Sequence, residues 1–555
     1  LDSAYNNLVK KTYTATITHK LPCTAGVTGL VNGTSTADSA DGSADGYITV
    51  TESLTFDSSD TVSFAPNSYT GYTLSSASGS TTSTSAQSWP NMRSNINVTY
   101  TYTANQYTIT LNYGSDSAGG RGHQQYTSTY NISTINVRYN YTYAACGLPS
   151  PTMAGWRLNG WYTTSGFTTT IPSVMTQTAN HTIYASWTPY FAGGHGYRTG
   201  QAVNGTTLTY DDMFLISNTT YLDRIDTGDS NYSYTCSSSY RYSYKQTADL
   251  IWNNSTQTPV SNFYGYYFGD NKTITLAAGT TINDYYYHGI FNYSEGAIFE
   301  QLNGVINGTL NATETTEENP NYVGFFGYSL NSTFNRVNIT LGTTGVLSGY
   351  SHNTATNPSM GRTGVFAGRL EHATCTSCTV TIDGGTLTDK STRTGVEESR
   401  KYLKYFAGEI VSPTGTTSVF TNCWTLIKNK PAGTVNEAMQ YNGIGYMYLR
   451  DGNNSSGVTD GTVSIDRSGV SYGADGNAQV FKFTASPDSG FTTQYRTGKT
   501  LNDITHNVTT GLSGTNNVSF TQNQLTYEYG QGSTEYMFNA DGTTTAGGTA
   551  PTWYS

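Results

Sequence analysis

Two cysteines three residues apart, in Cys375-Thr-Ser-Cys378, are the tightest grouping of reactive side chains in this 555-residue sequence. A C-x-x-C pair becomes a redox centre when a helix N-terminus lowers one thiol pKa, and a zinc site when a second pair completes four ligands. Here the pair lies in an alternating, strand-like stretch with no second pair, so neither chemistry is expected. Cys378 and Cys423 instead take equivalent inward positions in neighbouring repeat units. Strands stacked about 4.8 Å apart bring such thiols close enough to pack as buried free thiols or to bond, which makes Cys378 and Cys423 the one possible disulfide. Cys23, Cys146 and Cys236 lie in separate stretches, so connectivity cannot be read, and pairing between chains stays open.

Other groupings carry less. Asp38-x-x-Asp41-Gly-x-x-Asp45-Gly gathers carboxylates but lacks the alternating spacing and final Glu of a calcium loop. Gly193-Gly-His-Gly-Tyr-Arg-Thr-Gly200 is followed by no helix whose N-terminus could hold a phosphate, and it reads as a linker. The eight His are scattered, and no paired carboxylates or Ser-His-Asp grouping forms a motif. We therefore expect no catalytic residues, metal or cofactor, and a protein that is not an enzyme. A polysaccharide-cleaving β-helix enzyme is the enzymatic rival, because such sites are assembled from dispersed residues.

Asparagine gives the denser signal. N-x-S/T sequons begin at Asn32, Asn97, Asn131, Asn140, Asn180, Asn204, Asn218, Asn231, Asn253, Asn254, Asn271, Asn292, Asn307, Asn311, Asn331, Asn338, Asn453, Asn454, Asn507 and Asn517. These 20 exceed the roughly 12 that the chain's 46 Asn would give by chance, so N-linked glycans are expected, against the plain alternative that turn residues fall together. Tyr clusters at Tyr240-Arg-Tyr-Ser-Tyr244, Phe263-Tyr-Gly-Tyr-Tyr-Phe268 and Asp284-Tyr-Tyr-Tyr287 could stack sugars or pack on other subunits, since in a strand half of each cluster must face out.

The elements that carry these residues are strands. Only 12% of residues are charged, while Thr, Ser, Asn, Gly and 46 Tyr fill the chain, the composition of an extracellular all-β protein. A net charge of −10 without a basic stripe argues against nucleic acid as partner. No apolar run approaches the roughly 18 residues that span a bilayer, so no membrane span is expected, and the polar start fits a secreted protein whose signal peptide is gone.

Four regions follow. Residues 1–104 alternate as Tyr13-Thr-Ala-Thr-Ile17, Tyr47-Ile-Thr-Val50 and Asn97-Val-Thr-Tyr-Thr-Tyr-Thr103. With Phe64-Ala-Pro66 and Tyr69-Thr-Gly-Tyr-Thr-Leu74 between them, they resemble a mucin-binding-protein-type repeat. In residues 105–189, Tyr143 to Pro151, Gly155-Trp156, Gly160-Trp-Tyr-Thr163 and Ile183-Tyr-Ala-Ser-Trp187 resemble the internalin B-type (Listeria–Bacteroides) repeat, with a departure at Ala154-Gly-Trp-Arg157. Both resemblances imply small β-grasp or sandwich-like modules, with Trp161 and Trp187 as core.

Residues 190–430 repeat Gly289-Ile-Phe291, Gly324-Phe-Phe-Gly327, Gly364-Val-Phe-Ala-Gly368 and Tyr405-Phe-Ala-Gly408, with Phe291, Phe326, Phe366 and Phe406 spaced by 35, 40 and 40. After the last three motifs, Phe334/Val337/Ile339, Cys375/Cys378/Val380/Ile382 and Phe420/Cys423/Thr425/Ile427 are expected to point inward, and a fixed period with equivalent inward positions means stacked coils. The units resemble GLUG-type repeats, which implies a β-solenoid. Val396 to Tyr405 is the one helix-compatible stretch, and residues 431–555 read as a further β module. A structural subunit of a glycosylated extracellular filament, sheath or surface layer is the expected role, with copies of itself and glycans as partners. The alternative is a monomeric surface adhesin that binds carbohydrate or host ligands.

Overall fold

A computed structural model describes residues 10–116, 121–253, 258–284, 286–312, 321–350, 361–389, 403–413, 415–421, 423–429 and 431–432, and beyond these the strands Thr462–Tyr472, Gln479–Val480, Phe483–Ala485, Gln524–Glu528, Glu535–Asn539 and Thr544–Ala546. As the composition requires, strands dominate; among the described residues the α-helix is confined to Thr219–Asp223. The chain divides into two compact units, Leu1–Thr188 with Val203–Gly205, and Pro189–Ala202 with Thr206–Ser555.

The first unit holds two four-stranded sheets built alike. In the first, Thr12–Pro22 lies between Tyr47–Asp57 (antiparallel) and Ile96–Ala104 (parallel), and Tyr72–Gly79 pairs outside Ile96–Ala104. In the second, Gln106–Asn112 lies between Thr134–Arg138 (antiparallel) and His181–Pro189 (parallel), with Trp156–Tyr162 outside His181–Pro189. Numbered along each module, both sheets run 2-1-4-3. The alternation read from sequence sets which face is buried: Ala15, Ile17 and Leu21, then Ile96, Val98, Tyr100, Tyr102 and Ala104, turn into one core. Trp161 enters the second core and donates its Nε1 hydrogen to Pro149 O, while half-buried Trp187 packs against that core and donates to Tyr113 O.

The expected seam at 104/105 is not a division between independent bodies. Tyr139, from the second module, is buried in the first module's core and meets Tyr72 edge-on at 5.5 Å. Gly71 makes room for it, since a Cβ there would fall 2.2 Å from the Tyr139 ring.

The second unit is built around a stack of parallel coils, with a separate antiparallel sheet of Gln524–Glu528, Glu535–Asn539 and Thr544–Ala546. One full coil runs Phe291–Glu295, Ile298–Glu300, Asn303–Ile306, Thr309–Ala312 and Tyr322–Val323, and the next begins at Phe326–Leu330. Each strand pairs in parallel with its counterpart one coil on, giving five ladders. The expected inward residues Phe334, Val337, Ile339, Cys375, Cys378, Val380, Ile382, Phe420, Cys423 and Thr425 are all fully buried, and the side chain of the remaining one, Ile427, lies outside what is described. Phe291, Phe326, Phe366 and Phe406 form a continuous ring column with centroids 5.7, 5.2 and 4.7 Å apart. The glycine two residues before the first three of these rings is a close-approach residue: a Cβ on Gly324 would lie 2.5 Å from Gly364 O in the next coil.

Two sequence expectations are corrected. The ladder pairs Phe326 with Ala367 rather than Phe366, so one residue more than the ring spacing separates the backbones there. The solenoid also does not stop at 430: Thr462–Tyr472 pairs in parallel with both Thr417–Thr421 and Trp424–Asn429, because its length spans two ladders at once. The expected helix lies outside the described residues except at its end, where Leu403–Lys404 is a strand.

Candidate functional site

The densest polar chemistry of the solenoid sits where the Tyr322–Val323 and Phe326–Leu330 ladders meet. Consecutive coils place Tyr287 over Tyr322 and Tyr322 against Tyr328, with ring centroids 5.8 and 5.3 Å apart. The next coils put Arg362 and Arg369 over these rings, at 5.6 Å from Tyr322 and 5.1 Å from Tyr328. Arg362 Nε meets Glu409 Oε2 at 2.7 Å, and Arg369 bridges Glu371 at 2.5 Å and Glu409 at 3.4 Å. Tyr328 donates to Glu371 at 2.6 Å. Burial alone would lower the Arg369 pKa, but Glu409, the two tyrosines and Glu371 outweigh it and hold the guanidinium firmly charged. Burial raises the Tyr328 pKa, so its hydroxyl stays protonated as a donor. Two carboxylates tied to two guanidiniums have neither a free proton nor a free base, and the side chains are mostly buried, so this is a structural network rather than an acid/base pair.

A second carboxylate pair, invisible as a motif, closes at the short helix. Burial and then the nearby Asp226 raise the Asp223 pKa to about 6, and burial also raises that of Asp226, which accepts from Ser261 N at 2.5 Å. Spacing by three residues is the only sequence hint, and it is common by chance.

Fifteen of the 20 sequon asparagines are described; Asn254, Asn453, Asn454, Asn507 and Asn517 lie outside the described residues. Asn97, Asn131, Asn180, Asn218, Asn231, Asn253 and Asn331 are exposed and Asn307 is half-buried, and among the described residues none of their Nδ2 atoms donates a hydrogen bond. Others spend Nδ2 on the fold: Asn32 on Ser68 O, Asn204 on Gln125 O, Asn271 on Gln301, Asn311 on Asn283 and Asn338 on Asn303. Asn140 and Asn292 are buried, which closes them to a glycan in the folded chain. Asn140 donates to Leu30 O and Tyr72 Oη, and Asn292 accepts from Gly289 N.

All six cysteines stand as free thiols, so the candidate Cys378–Cys423 disulfide is not formed. Cys378 donates to Phe334 O at 3.5 Å and Cys423 to Cys375 O at 3.4 Å, each reaching a carbonyl of the preceding coil. Burial pushes all three solenoid thiols up, which keeps them protonated and unreactive.

The Asp38 loop turns its carboxylates on nearby backbone: Asp38 Oδ2 accepts from Gly26 N and Gly46 N, Asp41 from Ser43 N and Asp45 from Tyr47 N. The glycine-rich 193–200 segment is not a linker. His195 is buried and bonds Asp212 Oδ2 at 2.9 Å, and a Cβ on Gly194 would fall 1.7 Å from Met213 O, so glycine there serves packing. The Tyr clusters split as alternation demands: Tyr242, Tyr244 and Tyr267 are buried while Tyr240 is 55% exposed. No protein-family model and no curated protein matches the chain. Among the described residues no helix is long and apolar enough to cross a membrane.

Proposed function

We propose that this chain is a structural subunit of a glycosylated extracellular assembly (a filament, sheath or surface layer) that also offers adhesive surfaces. The observation that carries this reading is the coil stack itself. Each coil buries its inward face only against its neighbours, while its outer face presents amide, hydroxyl and phenol groups in register. Asn303 and Asn338 continue one another as a side-chain amide ladder, and Thr379 follows them in register. Such a surface is long and regular, its charges are sparse and largely paired, as in Lys245–Asp270 and Arg336–Glu300, so copies can approach without strong repulsion, and exposed sequons give it places for a coat. The resemblances to mucin-binding, internalin B-type and GLUG-type repeats belong to the same cell-surface setting.

The adhesin reading is favoured by the half-exposed tyrosines along the ladders, which offer flat faces to sugars. Electron microscopy of the native material separates the two. Regular fibres or sheets with density at the exposed sequon asparagines are the expected result, and dispersed single molecules would replace the assembly by the adhesin.

A further inference from the structure

We propose that both modules of the first unit are mechanical clamps, each of which resists a pull along the chain by loading its central parallel strands in shear. In the first module, the entering strand Thr12–Pro22 and the leaving strand Ile96–Ala104 lie side by side and parallel, in register from Ala15↔Ile96 to Lys20↔Thr101. The second repeats the arrangement, with Gln106–Asn112 entering and His181–Pro189 leaving, in register from Ile109↔His181 to Asn112↔Tyr184.

The consequence is geometric. For parallel neighbours, the start of the entering strand and the end of the leaving strand lie at opposite ends of the ladder. Tension between them slides the strands past one another and stretches every rung together, whereas an antiparallel hairpin pulled at its open end parts one rung at a time. The side chains behind the first ladder, Ile17, Val98 and Tyr100, are buried, so sliding must also expose their apolar surface.

The two clamps are in series. Asn105 alone separates the leaving strand of one from the entering strand of the next, so little slack divides them. Tyr139 and Asn140 tie the modules together through side chains as well. That such strength serves a subunit under tension outside the cell rests on the extracellular reading above; the strength itself does not.

Single-molecule force spectroscopy on the full chain tests the clamp with two handle geometries on the first module. Handles at Lys11 and Asn105 load the parallel pair in shear. Handles at Lys11 and Ser58 open the antiparallel pair, since Ser58 N donates to Lys11 O at its end. Several rungs must fail together in shear but only one or two at a time in peeling, so the expected rupture force is about twofold or more higher in shear. The event is recognised by the chain released between the handles, about 300 Å from the 12–104 span in shear and roughly 150 Å from the 12–57 span in peeling. Equal forces in the two geometries would overturn the clamp. Fibre formation is scored separately, so strong clamps in dispersed molecules refute only the assembly, and fibres with equal forces refute only the clamp.

Discussion

Replacing Asn140 by Ala should uncouple the two modules of the first unit. Asn140 is fully buried with φ at 60°, a left-handed conformation that asparagine tolerates better than most residues. Its Oδ1 accepts from Leu30 N at 3.0 Å, and its Nδ2 donates to Leu30 O at 2.9 Å and Tyr72 Oη at 2.8 Å, so one amide pairs with a peptide of the other module as a strand would. Alanine strands three partners. Tyr72 keeps its bond to Pro22 O and Leu30 is only half-buried, so the loss is smaller than three full desolvation penalties, about 2–4 kcal/mol in all. For a unit of this size that lowers the midpoint of its thermal transition by roughly 5–15 °C. Calorimetry of the full chain reads it, with Asn97→Ala, exposed and on an outward strand position, as the control. A shift no larger than the control's would refute the coupling.

Peptide mass spectrometry of material from its natural source should find glycan on exposed sequons such as Asn97, Asn131 and Asn231 and none on Asn140 or Asn292; modification of the buried pair in folded protein would contradict the packing. Glu409→Ala leaves Arg362 and Arg369 short of a carboxylate in a nearly dry network and should cost about 3–5 kcal/mol of solenoid stability by denaturant titration. Thiol labelling of the native chain should reach half-buried Cys146 and Cys236, whereas Cys375, Cys378 and Cys423 should react only on unfolding. Acidification from pH 7 to 5 should move the two units oppositely in calorimetry. Burial holds the His19 pKa below its unfolded value near 6.5, so its contribution is complete above that pH and is lost as pH falls through the window, which weakens the first unit. Asp223, raised to about 6 from about 3.8, contributes most when protonated and loses that as pH rises through 6, so the second unit gains on acidification.

What could be read from sequence was whatever repeats locally. Alternation in Tyr13–Ile17 or Asn97–Thr103 encodes a face directly, and the recurring Phe encodes the ring column because each coil must present the same residue to the same interior. The 367 register shift escaped, since one extra residue can be absorbed without moving the Phe rings out of line. Contacts made across long separations left no local trace. Asn140 finds Leu30 110 residues away and Tyr72 68 away, and its triplet looks the same as any other sequon. Glu409 reaches Arg362 over 47 residues for the same reason. His195 was passed over because glycines beside it suggest slack, whereas here they permit backbone contact.

The ends of the stack bear on how copies could meet. A solenoid with open terminal coils would grow by adding coils end to end, as any unpaired parallel edge invites another strand. Here the N-terminal edge of the ladder that contains Phe214–Ile216 is occupied, since Ala192 N donates to Leu215 O and Leu215 N donates to Gly193 O. At the other end Thr462–Tyr472 closes two ladders at once and is itself covered by Gln479–Val480 and Phe483–Ala485, both antiparallel to it. A reversal of direction cannot template a further parallel coil. These caps close the Phe214–Ile216 ladder at one end and two of the five ladders at the other, which leaves the sides of the coils, where the amide and hydroxyl ladders lie, as the regular surface for the proposed assembly; Thr379→Lys there should disperse it while the buried ring column stays intact.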